Sequence, residues 1–145
     1  MDNINKVKKT RIMPDNHWDW SMPTPFSQGW KIGNFIFTGG QVALDVEGNT
    51  IGVNDIEKQT RVVFEYIETI LNEAGADTKD IIKLNTYYVF EGEKHELVDF
   101  WEKMTKVRMD FLSEPGPSAT AVRVAGLAYP DLLIEVEAIA YISSK

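Results

Sequence analysis

The side chains in this sequence that are best placed to do chemistry are two carboxylates in an apolar strand. Glu135 and Glu137 alternate with Leu133, Ile139 and Tyr141, and the residues between them are all apolar. A carboxylate among apolar neighbours is costly unless it is ion-paired or used, for instance in proton transfer. The sequence therefore makes this strand the first candidate for a functional site, with a structural ion pair as the alternative.

The composition excludes most other kinds of catalytic site. The chain has no cysteine, so thiolate nucleophiles, disulfides and cysteine-ligated metal centres are excluded. The two histidines, His17 and His95, are not at metal-ligand spacing. We therefore expect no metal.

Charge and hydropathy argue against nucleic acid and membrane partners. Fifteen Lys and Arg against 22 Asp and Glu give a net charge of −7, whereas binding to phosphates requires the opposite balance. No run approaches the roughly 18 apolar residues of a membrane span. Residues 13–16 are polar or turn-forming where a secretory signal would continue as an apolar segment. We expect a cytoplasmic protein.

Short apolar runs and turn residues predict five strands. The pair Gly33-Asn34 between two apolar runs is typical of a β-hairpin loop. The pair Gly39-Gly40 indicates a bulge or a place where another group approaches the backbone closely. The predicted strands are residues 26–32, 35–38, 81–90, 118–127 and 132–142.

Apolar residues at helical spacing predict two helices between these strands. The first begins at Ile56, with Asn54 or Asp55 as N-cap, and ends at Gly75. The second ends before Pro115. Its buried stripe is predicted to be Leu97, Phe100, Trp101, Met104, Val107 and Phe111.

This order of elements predicts a single two-layer α+β domain. At 145 residues the chain has the length of one domain, and one mixed sheet would carry both helices on one face. Residues 1–24 are interpreted as an irregular N-terminal extension, packed down through Trp18 and Trp20, and residues 25–145 as the domain. The basic run from Lys6 to Arg11 is interpreted as a solvated tail.

The last predicted strand suggests what happens at the uncovered face of the sheet. Its even-numbered row, from Leu132 to Ile142, is wholly apolar and must face the helices. The opposite row holds Glu135 and Glu137, and it is too apolar for solvent and too charged for a core. We therefore expect this face to be buried in a closed homo-oligomer, with ligand sites in clefts between subunits.

Several segments also resemble a known family in order and spacing. They are Pro25-Phe26-Ser27-Gln28, residues 33–41 (GNFIFTGGQ), Gln59-Thr60-Arg61, Ala74-Gly75-Ala76, Pro117 and residues 134–140 (IEVEAIA). Together, over residues 25–142, they resemble the Rid (reactive intermediate deaminase) family, also called YjgF or L-PSP. The resemblance implies a chorismate-mutase-like fold and a homotrimer in which three sheets form a central barrel with three intersubunit clefts.

The resemblance also implies a chemistry. Members of the best-known branch hydrolyse enamines and imines to ketoacids and ammonia without cofactor or metal. In that family the cleft is lined by the glutamate that matches Glu135 and by the backbone that matches Gly39, Gly40 and Gln41. The arginine that grips the substrate carboxylate in that branch is replaced here by Ala119.

Further departures from the branch concern the lining of the cleft. Phe26 stands in the place of a tyrosine and Met104 in that of an asparagine from a neighbouring subunit, while Ala121 belongs to the same stretch as Ala119. Arg123 lies on the same strand face, about 13 Å from residue 119 at roughly 3.3 Å per residue. It is interpreted either as the partner of Glu135 or as a relocated substrate anchor. The resemblance thus implies an arginine-less subfamily.

Three functions remain open on the sequence. The first is hydrolysis of an imine or enamine other than the usual amino-acid-derived one, with Glu135 steering water. The second is non-catalytic binding of a small metabolite in the same clefts. The third is RNA cleavage, which the net charge and the lack of a basic aromatic surface argue against.

Overall fold

A computed structural model of the chain describes residues 7–143. Seven strands and two helices are arranged as an α+β domain, which confirms the predicted fold class. In chain order they are β1 (Lys9–Ile12), β2 (Gly29–Ile32), β3 (Phe35–Thr38), β4 (Gln41–Val42), α1 (Ile56–Glu73), β5 (Ile81–Tyr88), α2 (Lys94–Phe111), β6 (Ser118–Arg123) and β7 (Ile134–Tyr141). A short 3-10 turn at Thr78–Asp80 joins α1 to β5.

The strands form one mixed sheet in the order β1-β2-β3-β7-β5-β6, and β4 pairs with β7 as well. Every pairing is antiparallel except β5 with β6, which α2 connects as a crossover. The strand β7 therefore lies at the centre of the sheet, between β3 and β5.

Helix α1 begins and ends where local residues favour it. The Asp55 carboxylate caps it by accepting a hydrogen bond of 2.9 Å from the Lys58 backbone N–H. After Glu73 the chain turns through Gly75, whose φ of 83° suits glycine. The Lys31 ammonium donates to the Ala74 carbonyl oxygen at 2.8 Å and satisfies a carbonyl that the helix leaves unpaired.

A buried glutamine on α1 fixes the chain just before β7. The Gln59 amide donates to the carbonyl oxygens of Gly52 and Asp131, at 3.1 Å and 2.8 Å. Its oxygen accepts from the Leu133 backbone N–H at 2.8 Å. These bonds fix where β7 begins, and therefore the position of Glu135 along the strand.

The core lies between the sheet and the helices. The row predicted to face the helices is buried in β7, at Ile134, Val136, Ala138 and Ala140. Met104 and Val107 are the buried residues of α2. Among the described residues, neither helix is long and apolar enough to cross a bilayer.

Strand β5 starts at Ile81 as predicted but is irregular there. Ile81 is buried, whereas Ile82 is 46% exposed although it alternates with the buried Leu84. The register with β7 shifts between Ile81 and Lys83, so one irregular residue turns the first side chain of the row outward.

The N-terminal arm is packed down as predicted, but it is not irregular throughout. Residues 9–12 form β1, which pairs with β2, and Ile12 and Trp18 are buried. A boundary after residue 24 would separate this strand from its own sheet. Residues 1–6, at the start of the predicted basic tail, lie outside the described part of the chain.

Strand β3 has the predicted bounds, and the other predicted strands are shorter than expected. The first hairpin strand begins at Gly29 rather than Phe26, and β6 ends at Arg123. Consequently Phe26, Ser27 and Gln28 are free of the strand pairing and cross the end of the sheet as a loop.

Candidate active site

A β-bulge at Gly39-Gly40 shapes the end of the sheet beside β7. Phe37 pairs with Ile139 and Gln41 with Val136, so five residues of this strand face four of β7. The Gly39 N–H donates to the Gln28 carbonyl oxygen at 2.7 Å. The glycine pair thus forms a bulge and is also a place of close approach, because the bulge brings Gly40 against a side chain of β7.

That side chain is Glu135, which points to the face of the sheet away from the helices. A Cβ on Gly40 would overlap its Oε1 atom, so only glycine leaves room for the carboxylate here. Among the residues that the structure describes, no hydrogen bond or ion pair engages this carboxylate. Burial, and secondarily the charge of Glu137, raise the pKa of Glu135 above its ordinary value.

The neighbouring carboxylate, Glu137, is in a different environment. Its Oε1 accepts hydrogen bonds from the Asn85 amide at 2.9 Å and from the Tyr87 hydroxyl at 3.3 Å. The charge of Glu137 raises the pKa of Tyr87, which keeps that phenol protonated as a donor. The two carboxylates on this strand face therefore differ, because, among the described residues, Glu137 is hydrogen-bonded and Glu135 is not.

Gln41 anchors the bulge through a side-chain amide that makes four hydrogen bonds. Its oxygen accepts from the Trp18 indole at 3.1 Å and from His17 Nε2 at 2.8 Å. Its nitrogen donates to the Gln28 side-chain oxygen at 2.8 Å and to the Gly39 carbonyl oxygen at 3.2 Å. An amide has two donors and two acceptor positions, so these four bonds use the whole Gln41 side chain to hold the bulge. The predicted part of Gln41 in the cleft lining is its backbone, and that stays a prediction.

The arm places a cluster of aromatic rings beside this bulge. Trp18 is fully buried and lies 5.1 Å from Trp20 and 5.5 Å from Phe26, between ring centroids. Val42, the register partner of Glu135, belongs to the same cluster. Side chains of directly opposite residues in an antiparallel pair point the same way, so Glu135 leaves the sheet on the side of Val42.

His17 contributes to this cluster as a neutral imidazole. Burial lowers the pKa of His17 in spite of its bond to Gln41. Since the Gln41 oxygen can only accept, Nε2 carries the proton. The ring also packs on Tyr66, with centroids 4.4 Å apart.

The structure does not bring every predicted site residue together in one chain. In the parallel pair of β5 and β6, Ala119, Ala121 and Arg123 pair with Leu84, Thr86 and Tyr88, which face the helix layer. Glu135 pairs with Tyr87, on the opposite face. Arg123 therefore cannot pair with Glu135 of its own chain, and its guanidinium lies 5.5 Å from the Phe90 ring instead.

The predicted place of Met104 in the cleft lining is also corrected. Its side chain is completely buried in the core beneath α2, so no ligand can reach it. Phe26 and Gly39, by contrast, lie together as predicted, since a Cβ on Gly39 would be 3.8 Å from Phe26 Cε2. Within residues 7–143, no group of three or more Asp, Glu or His could hold a metal ion.

Comparison with known proteins decides the family. The family model described as endoribonuclease L-PSP matches residues 21–142 of the chain. The chain belongs to this family. This confirms the resemblance to the Rid, YjgF or L-PSP family that the sequence motifs suggest.

Relatives within the L-PSP family bear different descriptions. A RutC family protein of Pyrococcus abyssi is 44% identical over 117 residues, which are 81% of this chain and 86% of that protein. The 3-aminoacrylate deaminase RutC of Acinetobacter baylyi is 29% identical over 118 residues, 81% of this chain and 87% of that one. The crystal structure of RidA from Psychrobacter superposes with a TM-score of 0.77 at 28% identity, covering 92% of this chain and 99% of that chain.

The L-PSP match begins after most of the arm. Glu135, the glycine pair and Phe26 all lie inside the matched residues, whereas β1, His17 and Trp18 precede them. The sequence predicts that Trp18 packs the arm down, but not the hydrogen bonds of Gln28 and Gln41 that anchor it. Two glutamines and two aromatic residues that are distant in sequence give no local signal of such a network.

Proposed function

We propose that this protein is a homotrimeric, cofactor-free hydrolase that deaminates an imine or enamine in clefts between its subunits. The observation that carries the proposal is the state of Glu135. Its carboxylate is half-buried, has no partner among the described residues, and has a raised pKa. A carboxyl group whose pKa is moved toward neutrality can both accept and return a proton.

The reaction needs only one such group. Glu135 accepts a proton from water while the water oxygen bonds to the imine carbon and the C=N π electrons move to nitrogen. The same proton passes to that nitrogen and gives a carbinolamine. The Glu135 carboxylate then takes the proton of the new hydroxyl and delivers it to the amino nitrogen, so that the C–N bond breaks as C=O forms and ammonia leaves. The sum is imine plus water giving carbonyl plus ammonia, with no oxidant and no cofactor required.

The arrangement of the sheet supports a site made by two copies. The outward row of β7 contains Glu135, and the edge strand β6 has all six residues exposed. An exposed edge strand and an apolar sheet face are surfaces that proteins usually cover. If β6 of one copy closes over Glu135 of the next, then Ala119, Ala121 and Arg123 line the same cleft as Phe26 and Gly39.

The side chains at this cleft favour a substrate unlike the usual one. Ala119 cannot form the bidentate pair that an arginine makes with a carboxylate. Phe26 lies in a group of rings with Trp20 and Tyr129, which gives the cleft apolar walls. We infer an imine with an apolar body that does not depend on a carboxylate contact at residue 119.

A non-catalytic role in the same clefts is the second candidate, because Ala119 removes the substrate anchor on which the known chemistry depends. The two functions differ in what Glu135 does. Catalysis requires its proton transfer, whereas binding alone requires only its shape and polarity.

The test compares two imines generated in the presence of the protein. A dehydratase supplies 2-iminopropionate, and a flavin-dependent amine oxidase acting on benzylamine supplies an apolar imine without a carboxylate. We expect little or no acceleration of ketoacid release from the first and faster ammonia release from the second. Glu135→Gln should abolish the acceleration, while Glu47→Gln on an exposed turn should leave it unchanged.

Each contrary outcome has a defined meaning. Full activity on 2-iminopropionate would overturn the inferred substrate class. Unchanged turnover in the Glu135→Gln protein would remove Glu135 from the mechanism, and no acceleration with either imine would favour the binding role.

A further inference from the structure

The side of α2 that points away from the sheet carries apolar side chains that no described part of the chain covers. Val98 and Met109 are 58% and 73% exposed, whereas Met104 and Val107 on the opposite side of the helix are buried. A hollow of about 710 Å³ runs along the exposed side, and its mostly apolar lining comes from α2 alone. One helix cannot enclose a small molecule, so this surface fits another helix better than a ligand.

The exposed residues of α2 repeat at the spacing of a helix-packing seam. Val98, Glu102, Thr105 and Met109 are separated by four, three and four residues, which places them in one row along the helix. Apolar side chains stand at the two ends of this row and polar ones in its middle. We call the row the α2 seam.

One side of the α2 seam carries an acid and a base. At about 100° per residue, Asp99 and Lys106 fall on the same side of the row. Asp99 lies 2.7 Å from Lys103, Lys106 lies 3.6 Å from Glu57, and all four side chains are exposed. Exposed ion pairs contribute little to stability, so Asp99 and Lys106 are free to exchange these partners for groups on another molecule.

The other side of the α2 seam carries an aromatic ring and an arginine without a counter-ion. Trp101 and Arg108 fall on that side, and both are half-buried. Within residues 7–143 the Arg108 guanidinium has no hydrogen bond or ion pair, and burial lowers its pKa. A partly desolvated guanidinium of this kind is stabilised when it stacks on an aromatic ring.

We propose that the α2 seam binds the α2 seam of a second copy, with the two helices antiparallel about a two-fold axis between residues 103 and 104. Such an axis places each residue at the mirrored height of the other helix. Val98 then meets Met109 of the second copy, apolar against apolar. Glu102 meets Thr105 of the second copy, whose hydroxyl donates to the carboxylate.

The same register also matches the two sides of the seam. An antiparallel two-fold pair brings each side against the same side of the second copy. Asp99 then lies within two residues, or about 3 Å along the axis, of the height of the second copy's Lys106. Trp101 lies equally close to the height of the second copy's Arg108. The acid therefore meets a base, the guanidinium meets a ring, and each contact forms twice.

The contact is small, so the association is weak. The 18 residues of α2 span about 27 Å, and a helix is about 10 Å wide, which gives roughly 300 Å² per copy. Stable interfaces bury about 800 Å² per partner. We therefore expect this contact only at high protein concentration, with the smaller assembly alone in dilute solution.

The lack of cysteine in this chain makes the register testable by disulfide cross-linking. Val98→Cys and Met109→Cys are made as single variants of the full chain, and each is oxidised at high concentration, alone and mixed with the other. In the proposed register residues 98 and 109 face each other, whereas residue 98 lies about 16 Å from its own counterpart, beyond the roughly 7 Å that a disulfide allows. On a non-reducing denaturing gel, we expect several-fold more linked chain pairs in the mixture than in either variant alone.

Charge reversal provides a second measurement on the same cross-link. Asp99→Lys, added to both cysteine variants, should reduce the linked fraction several-fold, because it sets two cations against each other. Adding Lys106→Asp as well exchanges the two charges and should restore the cross-link. Glu47→Lys on an exposed turn is the matched control and should leave the linked fraction unchanged.

Contrary outcomes separate the register from the contact itself. Equal cross-linking in the single variants would overturn the antiparallel register. No cross-link in the mixture, or no recovery with the second reversal, would overturn the contact. The α2 seam lies on the helix side of the domain, away from Glu135 and from the sheet face that the proposed trimer would cover, and no readout here requires turnover. Failure of the catalytic proposal would therefore leave this result unaffected.

Discussion

Two glutamates on one face of β7 behave differently because of their immediate neighbours. Glu137 accepts hydrogen bonds from Asn85 and Tyr87, whereas Glu135 stands against the backbone of Gly40 with no partner among the described residues. The pKa of Glu135 is raised, and desolvation is the main cause. Its environment therefore disfavours the charged form that neutral pH imposes.

The raised pKa of Glu135 predicts a stabilising substitution. The group favours folding fully below its ordinary pKa, and this contribution is lost as the pH rises through its folded value. Glu135→Gln should therefore raise Tm near pH 7 by about 1–2 °C, and this gain should vanish near pH 4. Thermal melts at both pH values check this, with Glu47→Gln as control, and a lower Tm at pH 7 would contradict it.

The glycine pair at the bulge predicts two different effects of alanine. A Cβ on Gly40 meets the end of the flexible Glu135 side chain, whereas a Cβ on Gly39 lies 3.2 Å from the Ser27 carbonyl oxygen, which is backbone. Gly39→Ala should destabilise the fold, by about 2 kcal/mol in denaturant unfolding. Gly40→Ala should change stability less but displace the carboxylate, so that any Glu135-dependent activity is lost. The reverse order of the two stabilities would refute this account.

At the scale of elements, the arm is held by side chains rather than by its own backbone pattern. Trp18, His17 and Gln28 converge on the amide of Gln41, and β1 adds one edge strand. The arm thus depends on a cluster in which His17 is uncharged.

This dependence predicts that acid loosens the arm. Because the pKa of His17 is lowered in the folded state, its contribution is complete above its ordinary value near 6.5 and is lost as the pH falls through the folded value. Tryptophan emission should therefore shift to longer wavelength as the pH falls below the ordinary pKa of histidine and Trp18 becomes solvated. His17→Asn should remove this transition, whereas His95→Asn on α2 should preserve it; a transition that persists without His17 would exclude this cause.

Elements with local signals were predictable, and contacts between distant segments were not. The N-cap Asp55 and the stop at Gly75 stand beside α1 in the sequence, and its boundaries follow from them. Strand β1 has three exposed residues and one buried one, so it lacks the alternation that reveals a strand. The Glu135 site was predictable as a carboxylate in an apolar row, but its fit against Gly40 depends on a bulge set by the register of β7.

For the whole molecule, the sheet face opposite the helices carries a group of exposed aromatic rings. Phe35, Phe37 and Tyr141 are 42%, 40% and 37% exposed, and their rings contact one another. Apolar surface of this extent is typical of an interface. The proposed trimer would cover it.

Light scattering tests this assembly. The unaltered protein should have a mass near 50 kDa, three times the 16.5 kDa of one chain. Phe35→Lys should produce monomers, because a charge at the interface costs more than association returns. Val98→Lys, on the exposed face of α2, should remain trimeric, and a monomeric unaltered protein would refute the assembly.

The position of β7 also governs when the fold can form. This strand is the last of the seven to be synthesised, yet it lies between β3 and β5 and also pairs with β4. Until it leaves the ribosome, the earlier strands have no central partner and the apolar side of α1 has no sheet to cover. The sheet of this domain therefore cannot close until β7 has been synthesised, and until then β3 and β5 lack the strand that joins them.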